Sequence, residues 1–217
     1  MEMVVQSVNY FGHSAVASWS AVAPDAQPGV ALGAMLPDFA TMSGARVEHT
    51  ADGHVTAGIA LHHATDAAFH ALPVVTGLMR ELDDRLAHLG CARGPRRAVA
   101  HIGVELLLDG VLVDDASYRD AYTRGIHHEL ADVTWRAPDD DRRYGALIAR
   151  LRGYGVPEDL RRVDAIVHRL SRMLAHRPLL APSPADLRAI ASALADHQAR
   201  VAVATDTVVR ALRATLA

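Results

Sequence analysis

The chain predicts an all-α fold, and three observations carry that prediction. Half of its 217 residues are hydrophobic while only 5% are aromatic, and alanine and leucine dominate over the β-branched residues that suit strands. Apolar residues recur at three- and four-residue spacing, as at Leu78, Leu82 and Leu86, which marks a helix burying one face. Prolines and glycines stand where such runs begin and end. With no linker-like segment, no second composition regime and no internal repeat, residues 1–217 read as a single domain of about eight helices.

The first helix runs from Val8 to Ala21, with Asn9 and His13 one turn apart among Phe11, Val16 and Trp19, and ends at the loop APDAQPG. Gly29 to Leu36 makes a short second helix. Pro37 should stop it, because proline lacks a backbone donor and crowds the preceding turn, so Asp38 falls at a helix end or in a turn. Thr41 to His54 is polar and aperiodic, a loop that leaves His49 and His54 in solvent. The next helix spans Thr56 to His70. Beyond Leu72-Pro73, a helix from Val74 to Leu89 buries Leu78, Leu82 and Leu86 and closes at Gly90. Gly94-Pro95 opens the following one, since Pro95 suits a first helical turn. Ala116 to Asp132 carries His127 and His128, which point about 100° apart and cannot both face one site. After the turn Trp135 to Pro138, Arg142 to Tyr154 is helical, with Asp139 to Asp141 suiting its N-terminus. Pro157 begins a helix to His176. Ser183 as N-cap and Pro184 begin the last, to Leu216, whose Leu187, Ile190, Leu194 and Val201 either pack along the bundle or form a homodimer seam.

Net charge is −3 with histidine neutral, so nothing draws the chain to nucleic acid or to anionic lipid. The longest apolar run, Ala98 to Val113, is shorter than a membrane span and carries three ionisable groups. Ala21-Val22-Ala23 imitates a signal-peptidase site, but no basic segment precedes it. A soluble, cytoplasmic protein is expected. The single cysteine, Cys91, rules out an intrachain disulfide and has no activating neighbour.

Chemistry concentrates in two stretches. Gly58 to His70 places His62, Asp66 and His70 at successive i, i+4 positions, on one side of a helix. Ala98 to Val113 repeats the spacing with His101, Glu105 and Asp109 in otherwise apolar company. A helix apolar all round is buried, and a buried carboxylate must be paired, hydrogen-bonded or bound to metal. Two facing helices of this kind describe a metal site. Because a helix advances about 12 Å over eight residues, one ion cannot take all three members of a triplet. The expected ligands are His62, Asp66 and Asp109, followed by Asp38 and His13. His101 and Glu105 either ligate, orient ligands or pair with each other; His70 either holds a second metal, meets a substrate phosphate or ends its helix in water. Mixed imidazole and carboxylate donors suit Mn²⁺, Fe²⁺ or Zn²⁺, and carboxylate-rich ones Mg²⁺, as one or two ions.

Short motifs in order give the chain a resemblance to the acyl carrier protein phosphodiesterase family, helical relatives of the HD-type metal phosphohydrolases. They are Asn9-Tyr10-Phe11-Gly12-His13, Gly33 to Phe39 as G-x-x-x-x-D-F, Gly58-Ile59 followed by His62-His63-Ala64-Thr65-Asp66, the pair Glu105 and Asp109, and His176-Arg177-Pro178. The departures are His63 and Ala64 where the family has basic residues, Glu105 for a shorter carboxylate, and His70 for an aspartate. The resemblance implies an HD-like bundle that hydrolyses the phosphodiester joining 4′-phosphopantetheine to a serine of holo-acyl carrier protein. It implies metal on Asp38, His62, Asp66 and Asp109, with His101 beside them, and proton transfer by His13, His70 or Glu105. Substrate contacts would fall to Asn9, His63 and Arg177. Nine arginines between Arg142 and Arg177 would meet an acidic carrier, if they are not simply a solvated face. Two other readings stay open: an HD-like metalloenzyme acting on another small phosphoester, or with two irons on an oxidisable organic molecule; and a non-catalytic helical binding protein.

Overall fold

The computed structural model describes residues 10–20 and 23–217, so Asn9 and the ends of the first predicted helix lie outside the described residues. The fold is all-α. Among the described residues there are nine helices: α1 (Tyr10–Ala17), α2 (Gln27–Ser43), α3 (Gly53–Ala71), α4 (Pro73–His88), α5 (Arg93–Leu112), α6 (Ala116–His127), α7 (Asp140–Tyr154), α8 (Val163–Leu174) and α9 (Pro184–Leu216). One short antiparallel ladder joins β1 (Val47–Thr50) to β2 (Val133–Trp135). No helix of the described residues is long and apolar enough to cross a membrane. The chain gathers into two compact units, each built from separated stretches: a first from 10–67 and Leu112–Pro157, a second from Ala68–Val111 and Glu158–Ala217.

The first unit packs α1, α2, α6 and α7 around Phe11, Leu32, Met35, Phe39, Tyr122, Ile126 and Leu147. The few aromatics work together here. Tyr122 meets Phe11 and Tyr10 at centroid separations of 5.6 and 5.9 Å, and Tyr10 reaches Phe39 at 5.7 Å. Two expectations fail in this unit. Pro37 does not end α2, which continues to Ser43 and leaves Asp38 buried inside the helix. An interior proline costs about 3 kcal/mol, and burial of α2 from Gly29 through Leu36 and again at Phe39 outweighs that cost. The Thr41 to His54 stretch is not all loop. Its VEHT segment pairs with VTW of β2, a partner too distant in sequence for local patterning to reveal. The helix expected to reach Asp132 ends at His127, with His128 already in extended backbone, and Asp132 takes a left-handed backbone with φ of 50° just before β2.

The second unit packs α4 and α8 against α9. The stripe on α9 is Ile190, Ala193, Leu194, His197, Val201, Thr205, Val208 and Leu212, buried within the chain itself. Ser183 caps α9 through a reciprocal box with Asp186, whose carboxylate also accepts the Ala92 N–H at 2.7 Å. Those bonds, Ser183 first, draw Asp186 down to about 2. Burial, with Asp186 alongside, pushes the Cys91 thiol up to about 12, which leaves it inert. The helix expected from Pro157 to His176 is divided. A 3-10 turn (Glu158–Arg161) presses against α5 at Gly110, where a Cβ would lie 2.3 Å from the Leu160 carbonyl oxygen, and extended backbone at Arg162 separates it from α8.

Candidate metal centres

The ligand-type residues converge in two groups, one in each unit, and neither group is a triplet suggested by the spacing. Four residues advance a helix by slightly more than one turn, so i and i+4 stay together while i+8 drifts by about 80° and about 12 Å. Each helix therefore lends a pair, and the third member comes from elsewhere.

The first group is His13, His62 and Asp66. Its placement begins at Asp52, whose carboxylate accepts the N–H groups of His54 at 2.8 Å and Val55 at 3.2 Å and so caps α3. The other Asp52 oxygen sits 2.9 Å from His128 Nε2. Burial works to raise the Asp52 pKa, but His128 and the two backbone donors outweigh it and hold it below its ordinary value. Farther along, α3 crosses α2 backbone to backbone. A Cβ on Gly58 would lie 2.2 Å from the Val30 carbonyl oxygen, and one on Gly33 would lie 2.1 Å from that of Val55. This crossing sets His62 Nδ1 at 2.8 Å from the Ala34 carbonyl oxygen. A carbonyl only accepts, so in the neutral ring the proton is on Nδ1 and Nε2 keeps its lone pair.

That free side faces Asp66. His62 Nε2 lies 3.4 Å from Asp66 Oδ2, and His13 Nε2, carried by α1, lies 3.3 Å from Asp66 Oδ1. The two imidazoles stack with centroids 3.9 Å apart. Charge-assisted hydrogen bonds run to about 2.7–2.9 Å, so these contacts are long for ion pairs. Two donors bound to one ion at about 2.1 Å stand about 3.0–3.4 Å apart, which is the spacing seen here. Both histidines are buried, whereas the Asp66 side chain is 39% exposed. The group thus opens to solvent at its carboxylate. Burial works to raise the Asp66 pKa, but the neighbouring His13 and His62 rings outweigh it and hold it far below the usual carboxylate range.

The second group is His70, His101 and Glu105. Glu105, only 1% exposed, points one oxygen at two rings: Oε1 is 3.1 Å from His101 Nε2 and 3.7 Å from His70 Nε2. The ring centroids are 4.7 Å apart. Asp38 and Asp109 are both buried, yet among the described residues they join neither group. His63 is exposed and Arg177 half-buried; His49 and His54 are exposed, as expected, and so is His127. The arginines after Arg142 are spread over both units and largely occupied: Arg142 lies near Asp139, Arg143 bonds Asp140, Arg152 the Ile126 carbonyl, Arg161 Glu158, Arg162 Asp164 and Arg169 Asp159. Sequence reasoning missed the Asp52 cap and the Ala34 carbonyl. An aspartate directly before the helical run was a signal for the first; a backbone acceptor leaves none. Compared with protein-family models, curated proteins and solved structures, the chain matches none of them.

Proposed function

We propose that the chain is a divalent-metal-dependent phosphodiester hydrolase centred on His13, His62 and Asp66. The observation that carries this reading is the donor set itself: two buried imidazole nitrogens and a solvent-reaching carboxylate, at separations longer than charge-assisted hydrogen bonds and suited to a shared ion. A divalent ion there would bind phosphate oxygens and make an adjacent water a better nucleophile near neutral pH. The chain's own residues hold the geometry. Ala34 fixes the His62 tautomer, the Gly33–Gly58 crossing fixes the ring position, and His13 closes the group from α1. The order of the motifs favours holo-acyl carrier protein as substrate, with cleavage at the phosphopantetheine–serine phosphodiester in the cytoplasm. A small phosphoester is the second reading, favoured by arginines that already face their own acidic neighbours rather than standing ready for an acidic carrier.

The test is mass spectrometry of several holo-carriers incubated with the protein and Mn²⁺. Loss of the prosthetic group is expected, at background rate for Asp66→Ala and unchanged for His49→Ala. Intact carriers together with turnover of small phosphodiesters would establish the second reading; no metal bound and no turnover would leave a helical binding protein.

A further inference from the structure

We infer that His70, His101 and Glu105 form a second binding site, for a first-row transition-metal ion of the Zn²⁺ or Fe²⁺ type, held entirely within the second unit. Proton transfer is not needed to explain them. Glu105 lies in the apolar stretch Ile102 to Gly110, all of it buried, and taking a lone carboxylate out of water costs several kcal/mol unless it is compensated. A dication between Glu105 Oε1 and the two Nε2 atoms would offset the buried carboxylate charge at the point where the three donors converge. The geometry is close to that state. One donor atom from each residue lies within 4.8 Å of the others; of the oxygen-to-nitrogen separations, 3.1 Å falls within the spacing of about 3.0–3.4 Å that ligation at about 2.1 Å imposes, and 3.7 Å lies just beyond it.

The donor chemistry selects the ion. Two nitrogens and one carboxylate oxygen suit Zn²⁺ and Fe²⁺, whereas Mg²⁺ and Ca²⁺ prefer all-oxygen shells. The site also borders solvent. Side chains of His70 and His101 are 35% and 34% exposed, so the two rings form the solvent side of the group, with His101 Nε2 and the Glu105 carboxylate buried beneath them. No residue of the first group takes part, so this site does not depend on the proposed hydrolase centre.

Isothermal titration of the metal-free protein with Zn²⁺ tests the inference, using the Asp66→Ala background to silence the first group. Asp66→Ala should still bind one Zn²⁺, and adding either His101→Ala or the near-isosteric Glu105→Gln should abolish that binding while the circular dichroism spectrum stays helical. In the otherwise unaltered chain, Glu105→Gln should lower the stoichiometry by one. An Asp66→Ala protein that binds no Zn²⁺, or one whose binding survives both Glu105→Gln and His101→Ala, overturns the second site. Failure of the hydrolase reading is a separate result: no turnover and no effect of Asp66→Ala on stoichiometry, with the Glu105-dependent ion still bound.

Discussion

A single histidine outside both clusters shows how burial sets chemistry at the residue scale. His197 stands in the buried stripe of α9, and its Nε2 has no hydrogen-bond partner among the described residues. Burial disfavours its charged form and lowers its pKa; the nearby Glu81 carboxylate works the other way, and Arg200 adds to the lowering. The folded chain therefore holds it neutral, while in the unfolded chain it titrates near its ordinary value of 6.5. The unfolded state takes up the proton first, so the stability tied to neutral His197 is present above about pH 6.5 and is lost as pH falls through the lower folded value. Melting temperature should drop between pH 7 and pH 5, and His197→Gln, which cannot titrate, should show a shallower drop over the same interval. Equal slopes for the two proteins would show that His197 titrates alike in both states. His62 illustrates the same scale differently, because a carbonyl on α2 decides which of its nitrogens can act as a ligand.

At the scale of elements, two glycines place the first cluster, and a third tests the reasoning. Gly58→Ala would set its Cβ 2.2 Å from the Val30 carbonyl oxygen and 2.7 Å from the Gly33 Cα, both backbone atoms that cannot turn aside. The helices must separate. Overpacking costs about 1–3 kcal/mol, and the His62–Ala34 bond should loosen with it. Gly77 lies inside α4 with nothing within 4 Å of its added Cβ, so Gly77→Ala should stabilise the protein by about 0.5–1 kcal/mol. Denaturant unfolding of the two variants, expected to move in opposite directions, checks both. The crossing also explains what was legible in the sequence. Gly33 and Gly58 belong to the short motifs that resemble the phosphodiesterase family, yet close helix contact is enough to require them, so these two positions argue for a helix pair before they argue for an activity. The caps and stripes of α4 and α9 were legible because leucine spacing, Ser183 and Pro184 act locally. Pro37 misled because tertiary burial outweighed a local rule, and β1–β2 was invisible because its two strands meet from distant parts of the chain. The clusters were half legible: i, i+4 correctly paired His62 with Asp66 and His101 with Glu105, while their third members, His13 and His70, come from other helices.

For the whole molecule, the two proposed ion sites predict a stability that depends on metal, and the dependence can be apportioned. An ion that binds only the folded chain stabilises it by about 2.7 kcal/mol at a hundredfold excess over its Kd. At about 2–4 °C per kcal/mol for a chain of this size, each site is worth roughly 5–10 °C of melting temperature. A chelator should therefore lower the midpoint, and Mn²⁺ or Zn²⁺ should restore it. Asp66→Asn should remove the part of that increment due to the first group, and Glu105→Gln the part due to the second. Glu105→Gln should also leave the metal-free protein at least as stable as before, since an anion 1% exposed is replaced by a neutral group of the same shape. If the histidines instead serve only as partners of that anion, removing its charge strands them and the metal-free protein becomes less stable. Asp109 is the control. It is as buried as Glu105 but converges with neither group, so Asp109→Asn should leave the full metal increment in place, whatever it does to the metal-free midpoint. Loss of the increment on Asp109→Asn would make Asp109 a ligand and redraw the centre; a midpoint indifferent to both chelator and metal would remove the ions from the account of this fold.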